Sequence, residues 1–198
     1  MYEYIKGILT EITPAEAIVE TCGIGYRLAI SLSTFSPLQS CAGQEVKLFT
    51  HHYVREDDEQ LYGFYTKDER LVFQQLISVS GIGAGSARMI LSSMTADETR
   101  AAILGGDTNR FKAVKGIGLK SAQRIILELK DKIDKTAVGD SPVLTSAGGD
   151  SAVREEARSA LVLLGFARPA VEKVLSAILQ ETPDITIEAL IKKALKML

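Results

Sequence analysis

Two glycine turns of one pattern stand 35 residues apart, Val79-Ser80-Gly81-Ile82-Gly83-Ala84-Gly85-Ser86-Ala87 and Val114-Lys115-Gly116-Ile117-Gly118-Leu119-Lys120-Ser121-Ala122. Each reads as an apolar helix end, a Gly-Ile-Gly turn and a second helix that opens on a small residue. Such a turn leaves backbone N–H groups free at a helix start, with the positive end of the helix dipole behind them. That combination binds an anion such as phosphate. The bland alternative is that the glycines only cap and join helices. Recurrence of the pattern favours a protein that grips a nucleic-acid backbone at two points.

Other glycine loops fit worse. A dinucleotide fingerprint needs G-x-G-x-x-G after a buried strand. Here Gly81-Ile82-Gly83-Ala84-Gly85 has the wrong third spacing, and Leu71-Val72-Phe73-Gln74-Gln75-Leu76-Ile77 before it has helical periodicity. Gly118-Leu119-Lys120-Ser121 does not satisfy the P-loop spacing, so no ATP site is visible. Cys22 and Cys41 form no metal-like cluster and read as reduced, intracellular and partly buried. His51 and His52 are adjacent in a strand-like segment and should face opposite ways.

Charge is unevenly placed. The net charge is −2 overall, but residues 1–63 carry −5, residues 64–135 carry +4 and residues 136–198 carry −1. The positive excess coincides with the two turns and includes Arg110, Lys112, Lys115, Lys120, Arg124, Lys130 and Lys132. Such a footprint attracts phosphates and makes affinity fall with salt. Against it stands Arg55-Glu56-Asp57-Asp58-Glu59, whose four consecutive carboxylates read as a hairpin tip. This tip is either an ordinary solvated loop or a device that repels or separates DNA strands.

The elements that must hold these groups follow from hydrophobic periodicity. Ile5–Leu9, Ala17–Thr21, Gly25–Ile30, Glu45–Thr50 and Gln60–Phe64 alternate as short strands and predict a small antiparallel barrel or sandwich over 1–65. Over 66–134 the period becomes helical, with helices at Lys67–Val79, Ser86–Ser93, Ala96–Leu104, Asn109–Val114 and Ser121–Ile133. Residues 135–150 are small, polar and glycine-rich, as in a flexible linker. Three short amphipathic helices fill 151–198, the second opening at Pro169 and the third capped by Thr186. No apolar run is long enough to span a membrane, and the N-terminus lacks the features of a signal peptide.

With Cys22-Gly23-Ile24-Gly25-Tyr26, Phe49-Thr50-His51-His52-Tyr53-Val54-Arg55-Glu56-Asp57 and Leu61-Tyr62-Gly63-Phe64 ahead of the turns, the whole chain resembles the RuvA family. These are the junction-binding subunits of bacterial branch-migration complexes. The resemblance implies an α+β multidomain fold: an oligonucleotide/oligosaccharide-binding (OB)-like β-barrel, a central all-α domain with two helix-hairpin-helix motifs, and a C-terminal three-helix, UBA-like bundle. It implies a homotetramer, alone or paired face to face, on an open four-way (Holliday) junction in the cytoplasm.

On that resemblance, Gly81, Gly83, Gly85, Ser86 and Arg88 form one DNA contact, and Gly116, Gly118, Lys120, Ser121 and Arg124 the other. Glu56 and Asp57 match the family's acidic pin near the junction centre. Residues 151–198 would bind the AAA+ motor RuvB, with Leu161, Leu164, Leu190 and Leu195 as the expected partner contacts. The resolvase RuvC is a further partner the resemblance allows. ATP and Mg would belong to the motor, leaving this chain with no cofactor, no metal and no catalytic residue. One departure is visible: family members often carry a lysine just after the second glycine, whereas the first turn here has Ala84-Gly85-Ser86, with Arg88 the nearest cation in sequence.

Two rivals belong to other classes. A helix-hairpin-helix DNA glycosylase would pair Lys120 with a downstream aspartate, but Asp131, Asp134 and Asp140 run into the linker and no base pocket is evident. A single-strand binder acting through the barrel would need cations that the acidic first 63 residues do not supply.

Overall fold

The computed structural model describes residues 2–56, 59–137, 149–182 and 185–198. Five strands, β1 (Tyr4–Ile12), β2 (Glu16–Thr21), β3 (Ile24–Ala29), β4 (Glu45–Val54) and β5 (Glu59–Phe64), close into a barrel in the order β1-β2-β3-β5-β4. Every neighbour is antiparallel except β3 and β5, which run parallel and meet at Ala29 and Tyr62. Strand β1 pairs with both β2 and β4, and a register shift between Leu9 and Glu11 bends it enough to do so. Gly7 sits at this crowded crossing, where a Cβ would come within 2.1 Å of the Glu20 carbonyl oxygen. The barrel interior is the alternating set Ile5, Leu9, Val19, Leu28, Val46 and Leu48.

Helix α1 (Leu32–Leu38) lies between β3 and β4 where periodicity showed nothing. It is seven residues long with Pro37 inside it, and its support is tertiary. Ser33 Oγ donates to the Leu91 carbonyl at 2.6 Å, and Ser92 Oγ accepts from the Leu32 N–H at 3.1 Å.

After the barrel come α2 (Lys67–Ile77), α3 (Ala84–Ser93), α4 (Ala96–Leu104), α5 (Thr108–Lys112) and α6 (Leu119–Ala137). The last begins before Ser121 and extends past Ile133 into the expected linker; residues 138–148 of that linker lie outside the described residues. The helical core is continuous with the barrel, because Tyr62 and Phe64 of β5 join it and each places its ring 4.9 Å from that of Phe73 on α2.

Charged side chains fasten the same boundary. Arg70 donates to the Glu3 and Thr50 carbonyls and pairs with the Glu3 carboxylate at 2.6 Å. The buried Glu69 carboxylate accepts from Ser31 Oγ, from Thr34 Oγ1 at 2.7 Å and from the Tyr65 N–H at 3.3 Å. Burial pushes the Glu69 carboxyl above its ordinary value, and these hydrogen bonds pull the other way.

The chain divides into two compact units, Met1–Ser141 and Pro142–Leu198. In the second, α7 (Gly149–Leu163), α8 (Arg168–Glu181) and α9 (Ile187–Leu195) enclose Ala157, Leu161, Val171, Leu175, Ile178, Leu190 and Ala194. Pro169 falls in the first turn of α8, and Thr186 caps α9 through the Ala189 N–H.

Candidate nucleic-acid interface

The two turns have the same hydrogen-bond pattern, displaced by 35 residues. In the first, Val79 N–H donates to Leu76 O at 3.1 Å, Ile82 N–H to Val79 O at 3.0 Å and Ala87 N–H to Gly83 O at 3.0 Å. In the second, Val114 N–H donates to Phe111 O at 3.0 Å, Ile117 N–H to Val114 O at 3.0 Å and Ala122 N–H to Gly118 O at 2.9 Å. Valine, isoleucine and alanine at these positions are all buried, so each turn is pinned from beneath by its own apolar residues. Gly81 and Gly116 take φ of +86° and +89°, a backbone that an L side chain resists. These two glycines reverse the chain.

Because helical bonding starts at Ala87 and Ala122, the N–H groups of Ala84, Gly85 and Ser86, and of Leu119, Lys120 and Ser121, have no acceptor within their helices. Gly83 is the N-cap of α3 and carries no side chain to cover them. Elsewhere Ser31, Thr66, Thr95, Asp107 and Thr186 cap α1, α2, α4, α5 and α9 with a side-chain oxygen. A Cβ on Gly85 or Gly118 would meet nothing within 4 Å, and neither has a positive φ. Folding alone does not require glycine at either position.

The expected cations divide. Lys120 is exposed at the start of α6, as a phosphate contact requires. Arg124 Nη1 donates to the Ser80 carbonyl at 3.0 Å, tying the second motif to the first turn, and lies 3.7 Å from where a Gly81 Cβ would be. Its Nε lies 3.8 Å from the Glu128 carboxylate, one turn further along α6. Arg88, on α3, donates from Nη1 to the Ala15 carbonyl at 3.2 Å, which engages part of its guanidinium with the segment between β1 and β2. A cation that sequence reading missed as a contact stands nearer: Arg55 Nη2, 4.0 Å from the Cβ position of Gly83. The strand pattern held a signal, since Tyr53 and Arg55 are two apart and share a face.

Glu56 is exposed beyond the end of β4; Asp57 lies outside the described residues. Val54 opposes Glu59 across the hairpin, and His52 Nε2 meets the Glu59 carboxylate at 2.6 Å. His51 faces the other way, against Phe73, and burial together with Arg70 and His52 lowers its pKa. Cys22 is exposed at a turn, contrary to the partly buried reading, and Cys41 is half-buried. Among the described residues no group of three or more His, Cys, Asp or Glu is placed to hold a metal ion. No described helix is long and apolar enough to cross a membrane.

In the C-terminal unit, Leu161 and Leu190 are fully buried. Both are corrected from partner contacts to core residues, since a helix stripe that closes a three-helix bundle is no longer available to a partner. Leu164 and Leu195 are exposed, and so are Val162, Leu163 and Met197.

Comparison with known proteins gives three matched family models: RuvA N terminal domain over residues 1–63, SAM-like helix-hairpin-helix tandem over 73–131, and RuvA, C-terminal domain over 152–198. Relatives named Holliday junction branch migration complex subunit RuvA align along their full length and that of this chain. Those of Porphyromonas gingivalis W83, Bacteroides fragilis and Christiangramia forsetii are 45%, 46% and 46% identical to it.

Proposed function

The chain belongs to the RuvA family, and from that premise we propose that it binds four-way DNA junctions by their phosphate backbone as a subunit of a branch-migration complex. The observation that carries this reading is the repeated turn, pinned by buried residues below and presenting uncapped helix-start amides above. Backbone contacts hold no base information, so recognition follows the shape of the junction and not its sequence. Lys120 and Arg124 add charge-assisted contacts.

Four copies would set these turns around an open junction, alone or with a second tetramer on the opposite face. Glu56 and Asp57 would keep strands apart near the centre by charge repulsion, which is effective within a Debye length of roughly 8 Å at physiological salt. The bundle of 151–198 would recruit a RuvB-type AAA+ motor through exposed apolar side chains such as Leu164 and Leu195. ATP and Mg are then the motor's, and this chain acts without a cofactor or catalytic site of its own. Its place of work is the cytoplasm, where the resolvase RuvC could meet the same junction.

The test is a gel-shift comparison of four-way, duplex and single-stranded DNA, with the mass of the complex measured in parallel. The four-way substrate is expected to bind tightest, with the protein as a tetramer. Equal affinity for single strands would overturn the reading, and release of a damaged base by the purified chain would return it to the glycosylases.

A further inference from the structure

We infer that Arg55 supplies the side-chain cation of the first phosphate site, in place of a lysine within the turn. The inference rests on the proposed junction binding and deepens it by assigning a residue from a different element. The first turn has no lysine, and the arginine that follows it, Arg88, is engaged with the Ala15 carbonyl. Arg55, just beyond β4, brings Nη2 to 4.0 Å from the Cβ position of Gly83, the N-cap of α3.

Its position is set in advance. Nε donates to Tyr53 Oη at 2.9 Å, Nη2 donates to the same oxygen, and the guanidinium lies 5.1 Å from the centre of the Tyr53 ring. Tyr53 is itself packed on the helical core, perpendicular to Tyr62 at 6.2 Å between ring centres. A guanidinium placed in this way loses little rotamer freedom when it takes up a ligand.

The location also matters electrostatically. A helix N-terminus favours negative charge, so a cation beside it opposes the dipole. At the start of α3 the dipole, the uncapped amides and Arg55 all present positive charge to one small region, with Arg124 at the adjacent Gly81. A phosphate placed there meets positive charge from each of these groups. Gly83 has an ordinary backbone φ of −84°, so its lack of a side chain keeps open the gap between amides and guanidinium. Since Glu56 is the next residue, the phosphate site and the acidic tip hang from the same strand end.

The experiment measures four-way junction affinity over a range of salt for the full-length protein and four variants. Arg55→Gln should weaken binding about tenfold and reduce the salt slope by about one phosphate per engaged subunit. Arg55→Lys should retain the slope, and Tyr53→Phe should give a smaller loss of affinity. Gly85→Lys, at a position where an added side chain meets open space, should restore the slope in the Arg55→Gln background. Thermal unfolding of each variant serves as the folding control. An Arg55→Gln protein with wild-type affinity and slope would overturn the inference. A loss with unchanged slope that Gly85→Lys does not rescue would also overturn it, by assigning Arg55 a purely structural role. A wild-type protein that binds four-way and duplex DNA alike would instead refute the junction reading, while the Arg55→Gln salt slope would still decide the role of Arg55.

Discussion

Glycines in one turn serve different masters. Gly116 needs its freedom for φ of +89°, whereas Gly118 has an ordinary backbone and open space where a Cβ would be. Gly116→Val should therefore cost both stability, by about 1–3 kcal/mol, and junction affinity. Gly118→Val should cost at most about 1 kcal/mol of stability, as for a lost N-cap preference, yet still weaken binding at least about tenfold. Denaturant unfolding and gel shift on the same preparations separate the two effects. Normal binding by the Gly118 variant would rule out an amide cradle. Lys120→Ala should weaken binding to all sequences equally and lower the salt slope by about one per engaged subunit. Glu69 is the residue whose effect depends on pH. Its carboxyl binds a proton more tightly in the folded chain than its ordinary value of 4.5, chiefly through burial. That contribution to stability is full below the ordinary value and is lost as pH rises toward the raised one. Glu69→Gln should remove this stretch of pH dependence from urea-unfolding curves, and an unchanged pH profile would exclude Glu69 as its source.

Elements matter here through what they share. The barrel and the central helices were legible as two segments, yet β5 contributes Tyr62 and Phe64 to the same core that α2 fills with Phe73. Phe73→Ala should destabilise by about 3–5 kcal/mol. Barrel and helices should then melt in one transition, followed by tyrosine fluorescence and by helical circular dichroism; two separated transitions would show that the cores are independent. Helix α1 makes the opposite point. Its sequence, with Pro37 and several hydroxyl residues, has no helical stripe to read, and it exists because Ser31 caps it and Leu91, Ser92 and Glu69 bond to it from elsewhere.

At the scale of the whole molecule, the chain holds two compact units with separate cores. Removing residues 151–198 should leave junction binding and the melting of the first unit unchanged, while abolishing stimulation of the motor's ATPase. A shortened protein that still stimulated the motor would place the docking surface elsewhere. The charge distribution works at this scale too: a chain of net charge −2 can bind DNA because its positive excess is gathered on the segment that carries both turns.

The recurrence of the turns, the switch from alternating to helical periodicity and the gathering of positive charge are properties of residue order, so they could be read without coordinates. Each depends on neighbours only a few positions away. Tertiary structure decided what depends on the rotation of a helix or the meeting of distant segments. It set Arg88 on the Ala15 carbonyl and Arg124 on the carbonyl of the other turn. It also brought Arg55 across from a strand to the start of α3, and buried Leu161 and Leu190 while leaving Leu164 and Leu195 exposed. An amphipathic pattern marks the face that seeks cover, but the neighbouring elements determine which of its residues are covered from within the chain and which remain for a partner.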